Sequence, residues 1–254
     1  GIVGKYIELA DSYLSVIESI RLAGIEQNVD PVIRWINAET LEDRDPSDLL
    51  DGVAGIIVPG GFGPRGIEGK IQAANFARVN NIPYLGLCLG MQIAVIEFAR
   101  KALGADDCNS TEFDPDTKHP VVHPMQEYYD VANMGGSMRL GLWPCDLVSD
   151  TRAREAYGVP TVQERHRHRM EFNNKYRDLL RAHGMVFSGL SPDGKLAEII
   201  ELENHPWFIG SQFHPEFASR PNRPHPLFRG LLKASIRHAE GRVSVQMLTP
   251  EAAG

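Results

Sequence analysis

An α/β fold with a central, mostly parallel sheet and helices on both faces is the architecture this sequence predicts. Three observations carry it. Short apolar runs alternate with segments of helical period, the pattern of successive β-α units. Two of those runs break directly into glycine-bearing turns, Pro59-Gly60-Gly61 and Leu87-Cys88-Leu89-Gly90. The chain has 254 residues, 43% of them hydrophobic and 23% charged, which suffices for one large α/β domain or two small ones with a buried core.

Taken in order, Ile2-Val3-Gly4 reads as a short buried strand, followed by a helix from about Ser12 to Ala23 with Val16, Ile17, Ile20 and Leu22 as its apolar positions. Val32 to Ile36 reads as a second strand and Gly55 to Val58 as a third. Ile67 to Val79 has helical period, Tyr84 to Leu87 is a strand, and Leu89 to Leu103 is a helix. From Asp106 to Met138 the period dissolves into Pro, Asp, His and Gly, an irregular excursion with small strands near Val121-Val122. Met185 to Ser188, Leu196 to Leu202 and Trp207 to Gln212 read as strands joined by turns such as Ser191-Pro192-Asp193-Gly194. A helix from Leu227 to about Glu240 completes one domain over residues 1–240, and 241–254 reads as a flexible tail.

Composition excludes several classes. A formal net charge of −7 gives no electrostatic case for nucleic-acid binding. No apolar stretch approaches the roughly 18 residues of a membrane span, and no signal peptide is present. Cys88, Cys108 and Cys145 form no CxxC pair and no metal spacing, which fits a reducing, cytoplasmic setting. The chain begins at Gly1 and enters an apolar segment at once, the start of a piece cut from a longer polypeptide or of a trimmed chain.

The chemistry concentrates at Cys88. An apolar run ends on this cysteine, Gly86 and Gly90 flank it, and a helix follows. That is the layout of a nucleophile elbow, a turn so tight that only glycine fits beside the nucleophile. It places the sulfur at a helix N-terminus, where free N–H groups and the helix dipole favour negative charge. A lone cysteine on an apolar strand is as often structural as reactive; the flanking glycines shift the balance. Cys108 and Cys145 have no such surroundings and read as inert.

A nucleophile needs a base, and nine histidines compete for that role. His119, His123, His183 and His238 lie in loop-like or exposed-helix contexts and read as solvated. His214 ends the apolar run Trp207 to Phe213 and so emerges at a strand terminus, where open α/β sheets place their sites. Glu216 follows two residues on, past Pro215, a spacing that lets its carboxylate orient the imidazole. Alone, the pair reads as a turn cap; with the elbow it reads as base and orienter.

Pro59 to Gly63 matches neither GxxxxGK[ST] nor GxGxxG. Its economical use beside a nucleophilic cysteine is to offer backbone N–H groups to a developing oxyanion. Arg165-His166-Arg167-His168-Arg169 is a basic run in an acidic chain. As a strand it would put its arginines on one face and its histidines on the other. The run reads as a solvated face, as a collector of an anionic substrate group, or as a contact for a partner domain.

These residues resemble the class I, triad-type glutamine amidotransferases, through the Gly-Gly turn, the Gly-x-Cys-x-Gly elbow and His-Pro-Glu. More narrowly they are similar to the C-terminal glutaminase domains of the CTP synthases. The narrower likeness rests on Gly4-Lys5-Tyr6, Pro59 to Gly63, Leu87 to Gln92, Asn109 to Phe113, Met134 to Gly141, Glu164 to Arg169 and Gln212 to Phe217, spread over nearly the whole chain. The resemblance implies a flavodoxin-like sheet and a role for each matching residue. Cys88 would attack the side-chain amide of L-glutamine and form a glutamyl thioester. His214 would move the protons, held by Glu216. The N–H groups of Gly61 and Leu89 would form the oxyanion hole. Gly61, Leu89, Gly90, Met91, Gln92, Glu112 and Arg169 would line the substrate site, with Glu112 suited to the α-ammonium group.

The resemblance also implies that the ammonia passes to a synthetase (amidoligase) domain, absent here, that aminates UTP with ATP and Mg. No metal or cofactor is expected in this chain. GTP would act as an activator at the domain interface, near Phe62 to Gly66 and Arg165 to Arg169. Variation from other members is expected at Pro64 and in the connection from Pro124 to Met134. Competing readings are an amidotransferase subunit serving GMP, anthranilate or carbamoyl phosphate synthesis, a catalytically silent binding module of the same fold, and a cysteine peptidase or γ-glutamyl hydrolase. Ser110-Thr111-Glu112-Phe113 and the Arg-His run argue against the first, the intact triad against the second, and the enclosed site implied by Glu112 against the last.

Overall fold

The computed structural model describes residues 1–125 and 138–248. Its strands and helices alternate through the first 103 residues. They are β1 (Ile2–Gly4), α1 (Leu14–Glu26), β2 (Trp35–Asn37), α2 (Ala38–Glu42), α3 (Pro46–Leu50), β3 (Ile56–Val58), α4 (Ile67–Val79), β4 (Tyr84–Leu87) and α5 (Leu89–Leu103). There follow β5 (Cys108–Ser110), β6 (His119–Pro124), β7 (Arg139–Leu147), α6 (Arg152–Tyr157), β8 (Thr161–His168) and β9 (Met170–Phe172). The last elements are α7 (Arg177–Ala182), β10 (Met185–Leu190), β11 (Ala197–Leu202), β12 (Phe208–Ser211) and α8 (Pro226–Leu248).

Nine strands form one sheet in the order β2-β1-β3-β4-β12-β11-β10-β7-β8. From β2 to β12 every pairing is parallel; from β12 to β8 every pairing is antiparallel. Only β11 and β7 therefore run against the rest, so the strand direction is mostly parallel although the sheet is mixed. Alternation along single strands divides the core. Val3, Ile56, Val58 and Phe208 pack on one face with residues of α4 and α5, while Ile2, Ile57 and Ile209 pack on the other with residues of α1, α6 and α8. Both faces are covered, which is why β3, β4 and β12 are buried at every position.

Several sequence expectations change. The second strand is Trp35–Asn37, its register set by pairing with β1, and Val32 is 94% exposed. The first helix opens as a 3-10 turn over Ala10–Tyr13, and its α-helical part runs on to Glu26. The final helix runs past Glu240 to Leu248. Within the irregular excursion, β5 and β6 join β9 in a second, three-stranded sheet. His123 sits on β6 opposite Glu171 and is buried, not solvated. Met134 to Ser137 of the Met134 to Gly141 motif, most of the Pro124 to Met134 connection, and the tail beyond Leu248 lie outside the described residues.

Candidate active site

Three neighbouring strands deliver the site. β3, β4 and β12 are adjacent and parallel, so their carboxyl ends bring Pro59-Gly60-Gly61, Cys88 and His214 to one edge of the sheet. Cys88 is the N-cap of α5 and has φ 50° and ψ −98°, a backbone position a side chain rarely adopts. Its N–H donates to Ser211 O at 2.7 Å, which ties the elbow to β12. Glycine is obligatory beside it. A Cβ on Gly90 would lie 2.0 Å from Val58 O, and one on Gly86 would lie 2.4 Å from Gly90 O.

His214 Nδ1 lies 2.8 Å from Glu216 Oε1, and the ring stands beside Cys88: a Cβ on Gly60 would meet His214 Cε1 at 2.9 Å and Cys88 Cβ at 3.6 Å. The ring also stacks on Phe217 at 5.4 Å, so the imidazole is held on two sides. Burial works against charge on this ring. The ring's interactions with Cys88 and Glu216 outweigh it and raise the imidazole pKa from 6.5 to about 10. The structure thus places Cys88, His214 and Glu216 side by side at the strand ends, with the imidazole bonded to the carboxylate. The other two thiols are buried away from any such partner, and burial pushes Cys108 up to about 11 and Cys145 higher still.

Leu89 is the first residue of α5, directly after Cys88, so its N–H is among those of the first turn that have no partner within the helix. Gly61 is its neighbour in space: a Cβ there would touch Leu89 Cδ2 at 3.4 Å. Glu112 Oε1 accepts from Gly63 N–H at 3.0 Å, and the Arg169 guanidinium lies 6.0 Å over the Phe62 ring. Glu112 and Arg169, distant in sequence, therefore meet on the loop that carries Gly61. Gly90 and Met91 serve the elbow through backbone: Gly90 O accepts from the Tyr84 hydroxyl at 2.8 Å, and Met91 N–H donates to Cys88 O at 3.1 Å. Gln92 is buried, its Nε2 donating to Met170 O and to Gln212 Oε1, each at 3.3 Å.

The Arg-His run forms much of β8. Arg165 and Arg167 face outward, while Glu164, His166 and His168 are buried, the two-faced strand its spacing allows. The β7–β8 hairpin folds back over the strand ends, because His214 N–H donates to Arg165 O at 2.8 Å and Cys88 Sγ lies 3.9 Å from Arg167 O. Beneath it Arg139 makes a bidentate pair with Glu198 at 2.7 and 3.1 Å and stands 3.7 Å from Glu171. His166 and His168 are 2.9 Å apart in the same buried group. Burial, with Arg139 alongside, lowers both rings, His168 to about 3. The histidine face of the run is thus a neutral, internal support of the site. Arg139 lies inside the Met134 to Gly141 motif, but its pairing with Glu198 was not readable from sequence, because the contact joins positions 59 residues apart.

Cavity size alone would mislead. A cavity of about 390 Å³ lined by Ile20, Val32, Val53, Leu231 and their neighbours holds none of these groups, whereas one of about 180 Å³ touches Gly60, His214 and Glu216.

A doubly covered α/β sheet with a cysteine elbow, a His-Glu pair and backbone donors beside it defines a triad-type amide hydrolase. The family profile described as Glutamine amidotransferase class-I matches residues 8–234, and the chain belongs to that family. Within it, the chain is similar to the CTP synthase of Chloroflexus aurantiacus (strain J-10-fl), with 62% identity over 236 residues, 93% of this chain and 43% of that protein. The CTP synthase of Roseiflexus sp. (strain RS-1) is 60% identical over 237 residues, 93% of this chain and 42% of that one. Among solved structures, the glutaminase domain of Trypanosoma brucei CTPS with bound acivicin superposes with a TM-score of 0.86 at 38% identity, covering 93% of this chain and 92% of that one. The chain spans less than half the length of these curated relatives. Among the described residues, no helix is long and apolar enough to cross a membrane.

Proposed function

We propose that this chain hydrolyses L-glutamine to glutamate and ammonia, and that the ammonia is used by a synthetase domain to aminate UTP. The observation that carries the first step is Cys88 at a strained elbow with His214 beside it and Glu216 Oε1 2.8 Å from His214 Nδ1. His214 takes the thiol proton as Cys88 Sγ adds to the amide carbon of glutamine. The resulting oxyanion receives the N–H groups of Gly61 and Leu89. His214, held cationic by its two partners, gives its proton to the departing nitrogen; the C–N bond breaks, ammonia leaves, and a thioester remains. His214 then takes a proton from water, which adds to the thioester and frees glutamate and the thiol.

Glu112 and Arg169, gathered on the Phe62-Gly63 loop, are the charges that recognise the α-ammonium and α-carboxylate of glutamine. Gln92 belongs to the wall behind the elbow. This reading gives the chain no metal or cofactor of its own; ATP, UTP and Mg belong to the synthetase domain, and the setting is cytoplasmic. GTP, as activator, fits the outward arginines Arg165 and Arg167 and the Phe62 to Gly66 loop, where Arg65 lies 5.6 Å over Tyr6 and pairs with Glu39 at 3.4 Å.

The test is covalent labelling with 6-diazo-5-oxo-L-norleucine, a reactive glutamine analogue, read by mass. One adduct on Cys88, competed by glutamine, supports the reading. An unlabelled Cys88 leaves the silent binding module in its place.

A further inference from the structure

Gln212 opens the Gln212 to Phe217 motif, two residues before His214. It is fully buried, one residue beyond β12, with its N–H donating to Glu198 O at 2.8 Å. Its side chain stands between Gln92 and the nucleophile: Gln92 Nε2 donates to Gln212 Oε1 at 3.3 Å, and Gln212 Nε2 lies 3.8 Å from Cys88 Sγ.

The polarity of this chain of amides is fixed from its far end. Met170 O is a backbone carbonyl and can only accept. It therefore takes the Gln92 amide nitrogen, 3.3 Å away. The same nitrogen also reaches Gln212, which must turn its oxygen toward Gln92 and its NH₂ toward the sulfur. The last link is then an N–H donor aimed at Cys88 Sγ. A donor there stabilises sulfur that carries negative charge, whereas the Arg167 carbonyl, 3.9 Å from the same atom, suits only the S–H form.

We infer that Gln212 is a positioning residue that acts through Cys88: its side-chain NH₂, oriented by Gln92 and Met170 O, holds and stabilises the charged sulfur for attack. This rests on the reading of Cys88 as nucleophile, so the test probes the sulfur itself and not only turnover. His214 stands beside Cys88, with Glu216 behind it. His166, His168 and Arg139 act on the surrounding field from the hairpin, with Glu171 and Glu198 around Arg139. All of these stay in place when Gln212 is changed.

The experiment uses Gln212→Met, close in length and without a donor, and follows iodoacetamide alkylation of Cys88 by mass across pH. Loss of one hydrogen bond to a charged atom slows alkylation at neutral pH roughly tenfold and moves its midpoint to higher pH. With glutamine, kcat falls in proportion and KM stays the same. Wild-type alkylation rates across the pH range, in a variant that melts cooperatively, would overturn the inference. Should Gln212→Met not fold, the wild-type side-chain ¹⁵N–¹H resonances of Gln212 decide. They shift with pH in the wild type and stop doing so in Cys88→Ala; a pH-independent signal in the wild type would overturn the assignment. If Gln212 passes and glutamine is not hydrolysed, the proposed substrate has failed and the positioning role stands.

Discussion

At the scale of single residues, position in the chain and local chemistry made the triad legible. Cys88 sits between glycines that a Cβ would drive into Val58 O or Gly90 O, and His214-Pro215-Glu216 sets base and orienter two residues apart. Glu216→Gln should therefore lower kcat by roughly a hundredfold or more with little change in KM, because the carboxylate orients and charges the imidazole without touching substrate. Steady-state glutaminase assays check this. The raised value of His214 also has a sign in stability. A pKa lifted from 6.5 to about 10 contributes stability fully present below pH 6.5 and lost as pH rises through about 10. Urea melts at pH 6, 8 and 10 should show His214→Ala destabilising most at pH 6 and least at pH 10. Gln212, His123 and Arg139 were not legible at this scale, because their meaning lies in partners far away in sequence. His123 looked like a loop histidine between prolines; only pairing with Glu171 across the small sheet buries it.

At the scale of elements, segments with a clear hydrophobic run or period were legible, and those without one were not. Ile67 to Val79, Tyr84 to Leu87 and Leu89 to Leu103 lie where hydrophobic period and the elbow put them. The five-residue helices α2 and α3 carry too few turns for a period; they begin at the side-chain caps Asn37 and Asp45. β7 and β8 escaped because tertiary support, and not propensity, makes them strands: β8 alternates charged and imidazole side chains, and its inner face is satisfied by distant partners, Tyr157 and His225 at Glu164 and the Arg139, Glu171 and Glu198 group beside His166 and His168. Arg139→Ala leaves those carboxylates buried without their cation and should cost about 3–5 kcal/mol in chemical denaturation. The elbow gives a second element-scale prediction. Gly90→Ala forces β3 and α5 apart and should cost about 3 kcal/mol, with loss of labelling at Cys88 even below the melting transition.

At the scale of the whole molecule, the alternating pattern specified the covered sheet and the direction of most strands. It did not specify the four antiparallel pairings beyond β12, whose order depends on long-range contacts such as those between β7 and β10. Those pairings matter for function, since they bring the β7–β8 hairpin back across the strand ends to bond His214 and approach Cys88. The same hairpin ends the sheet with Arg165 and Arg167 outward, close to the nucleophile.

The central claim is that Cys88 breaks the side-chain amide of glutamine. The direct measurement is glutamate release by the purified chain beside Cys88→Ala. Release by the wild type that disappears in Cys88→Ala is the predicted result. Equal release by both proteins, or none from the wild type together with an unlabelled Cys88, would contradict it.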